Sequence, residues 1–103
     1  MNGYVLAPVA LADIDEIAEQ IAEADPDVAL RFIDDMHETF AFLARHPHAG
    51  HPRPDLTDRP VFFWPVRKTY AVIYRKAEPL EIIHVRRWRQ DLPTLLAGEA
   101  SDA

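Results

Sequence analysis

Residues 8–46 read PVALADIDEIAEQIAEADPDVALRFIDDMHETFAFLARH, and the fold turns on how this stretch divides. Ala10, Ile14, Ile17, Ala18 and Ile21 recur at helical spacing, with Asp13, Asp15, Glu16, Glu19 and Glu23 mostly on the other face. That pattern predicts an amphipathic helix of about four turns, started by Pro8, whose fixed φ suits a first helical position. Asp25–Pro26 interrupts it. Asp25 is a helix-capping residue type and Pro26 again fits a first position, so a second helix begins at once. Its apolar stripe is Ala29, Phe32, Ile33, Met36, Phe40 and Leu43. Asp25 and Asp27 lie at its positive end, Arg45 and His46 at its negative end, and Pro47 stops it. Two amphipathic helices joined by so short a turn predict an antiparallel helical hairpin.

On either side of the hairpin the pattern changes to strand. Gly3–Leu6 is a short apolar run ahead of Ala7–Pro8. After the hairpin, Pro47, Gly50, Pro52, Pro54 and Pro60 mark a surface loop over residues 46–60. Val61–Val66 then reads as a strand, with Pro65 marking an edge or a bulge. Lys68–Arg75 alternates and is rich in Tyr and β-branched residues. Ala77–Pro79 supplies a turn and Leu80–Arg86 a last strand. Consecutive antiparallel pairing makes these three a meander. The predicted order is β-α-α-β-β-β, an α+β fold with an N-terminal strand and an antiparallel helical hairpin packed on a small, mainly antiparallel sheet. Gln90–Leu96 has room for a short C-terminal helix. Residues 1–97 are expected to form one domain and residues 98–103 a flexible C-terminal tail.

Composition narrows the function. At 103 residues and 49% hydrophobic, the chain suits one small folded domain whose modest core leans on a partner. It contains no cysteine, which removes disulfides and thiolate metal sites and fits a reducing cytoplasm. Met1–Tyr4 lacks a basic signal region, and no apolar run approaches the roughly 20 residues of a membrane span. The net charge of −6 opposes a general nucleic-acid binder. The charge is uneven, however. Residues 1–51 hold ten acids against Arg31 and Arg45, a balance of −8, while residues 52–103 hold nine bases against seven acids, a balance of +2. An anionic partner would meet the second half.

In order and spacing, these pieces resemble the RelE/ParE toxin family, and within it the ParE branch. Tyr4–Pro8 is similar to the family's opening strand and "S-P-x-A" helix start, with Ala7 where Ser is common. Asp13–Ile17 resembles "D-L-x-E-I". Pro26 to Phe32 with Phe40, Leu43, Pro47 and Gly50 resembles "P-x-A-A-x-x-F … F-x-x-L-x-x-x-P-x-x-G", and Arg53 with Leu56 fits "R-x-x-L". Pro65–Val66, Tyr70–Arg75 and Glu81–Val85 resemble "F-P-V-x-x-Y-x-I-x-Y-R … I-E-I-L-R-V". The resemblance implies the toxin of a type II toxin–antitoxin module, held in a hetero-oligomer with a small ParD-like antitoxin and inhibiting DNA gyrase, without cofactor, membrane association or sequence-specific nucleic-acid binding. RelE-type relatives instead cut mRNA on the ribosome, and a degenerate member would bind its antitoxin without poisoning anything. Where the family commonly shows "L-H-G-x-R-D", this chain has Arg86–Asp91, with Arg87 at the usual His, Trp88 at the usual Gly and Gln90 at the usual Arg. Ala71 stands where RelE-type sites usually carry an Arg.

Four sets of side chains are candidates for function. The first is basic and aromatic. Arg75, His84, Arg86, Arg87, Trp88 and Arg89 form a candidate activity surface, with Arg67, Lys68, Tyr70 and Tyr74 in the same sequence region. A metal-free ribonuclease needs a base for the ribose 2′-OH. Arginine is too strongly protonated for that role, which leaves His84 or Lys68. Arg86–Arg89 follows the last strand, and a tryptophan flanked by arginines has the composition of a binding hot spot. Equally, Trp88 can close the core. The second set, Phe62, Phe63 and Trp64, is a candidate antitoxin-binding strip, because alternation turns at least one ring away from a one-sided core. A sheet covered on both faces is the other reading. The third, His46, His48 and His51 with His37, reads as a surface cluster, and no metal is expected. The fourth, Asp13, Asp15, Glu16 and Glu19, reads as a solvated helix face.

Overall fold

The computed structural model describes residues 3–88. Its elements are β1 (Tyr4–Leu6), α1 (Pro8–Ala24), α2 (Pro26–Arg45), β2 (Phe62–Val66), β3 (Tyr70–Arg75) and β4 (Leu80–Arg87), the predicted α+β order. Arg89, the region of the expected terminal helix and the tail lie outside the described residues.

The turn between the helices is a single residue. Asp25 ends α1, its N–H donating to the Ile21 carbonyl at 2.9 Å. It also caps α2, its carboxylate accepting from the N–H of Asp27 at 3.0 Å and of Val28 at 3.4 Å. One residue therefore satisfies an acceptor at the end of α1 and two donors at the start of α2, and Pro26 at the first position of α2 has no N–H to satisfy.

The sheet order is β1-β4-β3-β2. β2, β3 and β4 form the antiparallel meander, and β1 adds to β4 in parallel, with Tyr4 opposite Leu80 and Leu6 opposite Ile82. The hairpin covers one face. Ala10, Ile14, Ile17, Phe32, Met36, Phe40 and Leu43 pack there against Val66, Val72, Tyr74, Leu80, Ile82 and Val85. The other face carries a smaller cluster of Val61, Phe63, Ala71 and Ile73, bordered by Leu56, Ile83 and Trp88. Both faces are thus filled. Tyr74 holds the loop that follows α2. Its hydroxyl donates to the Pro47 carbonyl at 2.8 Å and accepts from the Gly50 N–H at 2.9 Å. Burial raises the Tyr74 phenol above its ordinary value, and the Gly50 N–H opposes that rise. A Cβ on Gly50 would stand 2.5 Å from the Tyr74 hydroxyl, so glycine is required by space.

The strands differ from expectation by a residue or two at their ends, and two of the differences have a physical reason. β3 begins at Tyr70 because Arg67 and Lys68 make the β2–β3 turn, both at positive φ (55° and 59°). β4 carries an irregularity: Tyr74 pairs with Ile82 but Ile73 with His84, which leaves Ile83 as the extra residue.

Candidate functional site

The site is built where β1 stops. Leu6 is its last residue, paired with Ile82, so β4 has no strand neighbour on that side beyond this rung. The backbone N–H of Val85 would be orphaned inside the protein. The Asp13 side chain, from α1, takes its place, with Oδ2 accepting from Val85 N at 3.1 Å. The same oxygen lies 3.2 Å from His84 Nδ1. A carboxylate is an acceptor, so that ring nitrogen carries the proton. Asp13 Oδ1 lies 3.0 Å from Arg86 Nη2, and Glu16, one turn further along α1, is 3.9 Å from Arg86 Nη1.

Asp13 is only 2% exposed, and His84 is 7% exposed. The expectation of a fully solvated acidic face on α1 is therefore corrected at Asp13. Asp15, Glu16 and Glu19 are exposed as expected. A buried carboxylate persists only when its charge is paired and its lone pairs are filled, and three donors achieve that here. Sequence reasoning missed this residue, although a signal was present. Asp13 falls three residues after Ala10 and four before Ile17, inside the apolar stripe itself.

Beyond this anchor the chain runs to the edge of the sheet. Arg87 pairs with Tyr70 across the strands and donates from Nη1 to Gln20 Oε1 at 2.6 Å. The Trp88 N–H donates to the Thr69 carbonyl at 2.8 Å. The Trp88 ring meets Phe63 edge-on, with centroids 6.2 Å apart at 88°. Its other neighbour is Arg53, whose guanidinium stands 5.1 Å from the ring centroid. Asp55 holds that guanidinium in a two-pronged pair at 2.9 and 2.7 Å, and the hydrogen bond from Arg53 keeps the Asp55 carboxyl below the usual carboxylate range. Trp88 thus packs against the core of the second face, as the core-closing reading expected, and its ring stays half-buried.

The candidates do not all converge. Arg86, Arg87 and Trp88 gather at one end of the sheet. Arg75 pairs with Glu81 at 2.5 Å, on a rung five residues of β3 away from Tyr70, about 16 Å at the usual strand rise. His84 faces inward to Asp13. Phe62 and Trp64 lie on the helix side, half-buried, with Trp64 against Phe42 at 5.4 Å and Lys76 4.0 Å over the Phe62 ring. Phe63 is 2% exposed under the loop. The histidines take separate neighbours: His37 bonds Tyr4, His46 stacks on Phe42, His48 approaches Lys76, and the backbone of His51 bridges to Phe63. Among the described residues no group of three or more His, Cys, Asp or Glu is placed to hold a metal ion. Nor is any helix there long and apolar enough to cross a membrane.

A protein-family model described as the ParE toxin of the type II toxin–antitoxin system parDE matches residues 4–92. Among solved structures, a chain of the chromosomal ParDE TA system from P. aeruginosa is similar in fold, with a TM-score of 0.67 and 23% identity. The match covers 82% of this chain and 92% of that one. No curated protein sequence matches.

Proposed function

Because this chain belongs to the ParE toxin family of type II toxin–antitoxin systems, we propose that it poisons DNA gyrase by binding and is neutralised by an antitoxin encoded beside it. The observation that carries the choice of binding over RNA cleavage is the state of His84. It is the side chain best suited to act as a base, yet at 7% exposure its ring is largely closed to an RNA backbone. Lys68, the other candidate base, lies beyond the Tyr70 rung, itself roughly 10 Å along the strand from the rung of His84. Ala71 is buried in the second cluster and offers no cation. What remains accessible is Arg87 and Trp88 at the end of β4, a planar anchor beside a cation, suited to a protein surface. Phe62 and Trp64, half-buried on the opposite edge strand, are the proposed antitoxin contact.

The test is induced expression with and without the neighbouring gene's product. Growth arrest relieved by that product, with relaxed plasmid DNA and continuing translation, is the expected outcome. Rapid cleavage of mRNA with normal supercoiling would assign the chain to the ribosome instead.

A further inference from the structure

The loop from α2 to β2 carries an ion pair whose placement stability does not explain. His51 ties the loop to the sheet, its backbone exchanging hydrogen bonds with Phe63 of β2 at 3.1 and 2.9 Å. Two residues on, the Arg53 carbonyl accepts from the N–H of Leu56 at 2.9 Å and of Thr57 at 3.1 Å. That turn brings Asp55 round to the Arg53 side chain, whose Nε and Nη2 donate to its two oxygens. The two side chains are 35% and 58% exposed, and an ion pair open to water adds little to stability. What the pair fixes is direction. A planar guanidinium held at two points resists rotation, and this one stands over the Trp88 ring, 5.1 Å from its centroid.

Trp88 gains from such a neighbour. It follows the last residue of β4, and its backbone is tied there by the bond from its N–H to the Thr69 carbonyl. Its ring is only half-buried, with Phe63 perpendicular to it. An indole left partly in water has more than one orientation open to it. A partner that seats the ring then loses about two- to tenfold in affinity to immobilising it. A guanidinium fixed over the ring orders it before the partner arrives.

We infer that Arg53 is a positioning residue of the target-binding surface: pinned by Asp55, its guanidinium holds the Trp88 indole in the orientation that meets the target protein. This rests on the proposed placement of the activity at the end of β4. Arg53 acts through Trp88 and not as a cationic contact of its own, because Asp55 already neutralises its charge.

The chain has two tryptophans, so one labelled amino acid supplies both the probe and its control. In the full chain carrying 5-fluorotryptophan, the fluorine NMR signals of Trp64 and Trp88 are assigned through Trp64→Phe. Arg53→Ala and Asp55→Ala should each shift or broaden the Trp88 signal and leave in place that of Trp64, which packs on Phe42. A general loosening of the fold moves both signals and overturns the inference, as does an unmoved Trp88 signal. Toxicity is read as the toxin level that halves growth rate and as the concentration that halves gyrase supercoiling. Both variants should need about two- to tenfold more toxin. Arg53→Lys keeps the cation without the two-point pair and should fall between them and the parent. A direct cationic contact would keep or gain activity when Asp55 is removed, and full toxicity of Asp55→Ala therefore overturns the inference. So does a full additional loss when Arg53→Ala is added to Trp88→Leu, where less than twofold is expected. The two toxicity readouts separate this inference from the function beneath it. If the parent halts growth without touching supercoiling and Arg53→Ala still weakens the arrest, gyrase falls and the positioning role stands. If the parent and Arg53→Ala inhibit gyrase equally, gyrase stands and the positioning role falls.

Discussion

Replacing Asp13 by alanine tests the junction between α1 and β4. The carboxylate is 2% exposed and accepts from Val85 N, His84 Nδ1 and Arg86 Nη2 at 3.1, 3.2 and 3.0 Å. Alanine leaves the Val85 N–H without an acceptor beside the end of β1, a loss of about 1–3 kcal/mol on its own. It also strands the Arg86 guanidinium, whose Nε is already buried without a hydrogen-bond partner among the described residues. Breaking a fully buried ion pair costs about 3–5 kcal/mol. The Arg86 side chain is 22% exposed with Glu16 at 3.9 Å, so it can turn towards water, and the low end applies, about 3 kcal/mol in all. Against a total of about 5–15 kcal/mol for a domain of this kind, that is a large fraction. Urea denaturation should show the midpoint falling by roughly 2 M with the slope unchanged. Asp15→Ala, one exposed carboxylate along, should stay within about 0.5 kcal/mol. A second arm isolates the pair: Asp13→Ala combined with Arg86→Met should lose less than the two single changes added together, by about 1–3 kcal/mol. A loss below about 1 kcal/mol for Asp13→Ala, or strict additivity in the cycle, would mean that Asp13 does not hold β4 to α1.

Three further outcomes follow from the geometry. Tyr74→Phe removes the hydroxyl shared by Pro47 and Gly50 and should cost about 1–3 kcal/mol in denaturation. Because the folded phenol is raised above its unfolded value, its contribution is intact below about pH 10 and lost as pH climbs through the raised value. The parent should therefore weaken in alkali by a component that the Phe variant lacks. Gly50→Ala drives a methyl to 2.5 Å from that hydroxyl and should destabilise by about 1–3 kcal/mol, a loss that shrinks when Tyr74→Phe is present. Phe63→Ala should cost about 3–5 kcal/mol, whereas Trp64→Ala, half-buried on the helix side, should cost less stability and weaken antitoxin binding, as titration calorimetry would show.

The helical hairpin was legible because Asp25–Pro26 announces one helix and forbids continuation of the last, a purely local statement that tertiary contacts had no reason to override. The meander was legible for the same reason, with alternation and turn residues in sequence order. The parallel seat of β1 beside β4 was not legible. Three residues carry too little pattern to choose a partner some 75 positions away. Asp13 was lost because a carboxylate on a helix reads as solvated until its partners are known, and His84 and Arg86 are far along the chain. The β2–β3 turn was hidden because Arg67–Lys68 contains neither Gly nor Asn. Within the candidate site, the clustering of Arg86, Arg87 and Trp88 followed from adjacency in sequence. The inward turn of Arg86, the separation of Arg75 and the contact of Arg53 with Trp88 depend on register and on the loop, neither of which a residue pattern encodes.

The activity proposed for this member of the ParE family is gyrase inhibition by binding, silenced by its antitoxin. Purified toxin titrated into a gyrase supercoiling reaction tests it most directly, with the antitoxin added back at increasing ratio. The expected result is a loss of supercoiling that saturates with toxin, is reversed at a stoichiometric antitoxin ratio and is absent with Arg87→Ala. Supercoiling that proceeds unchanged at saturating toxin, while the same preparation cuts mRNA on translating ribosomes, would contradict it.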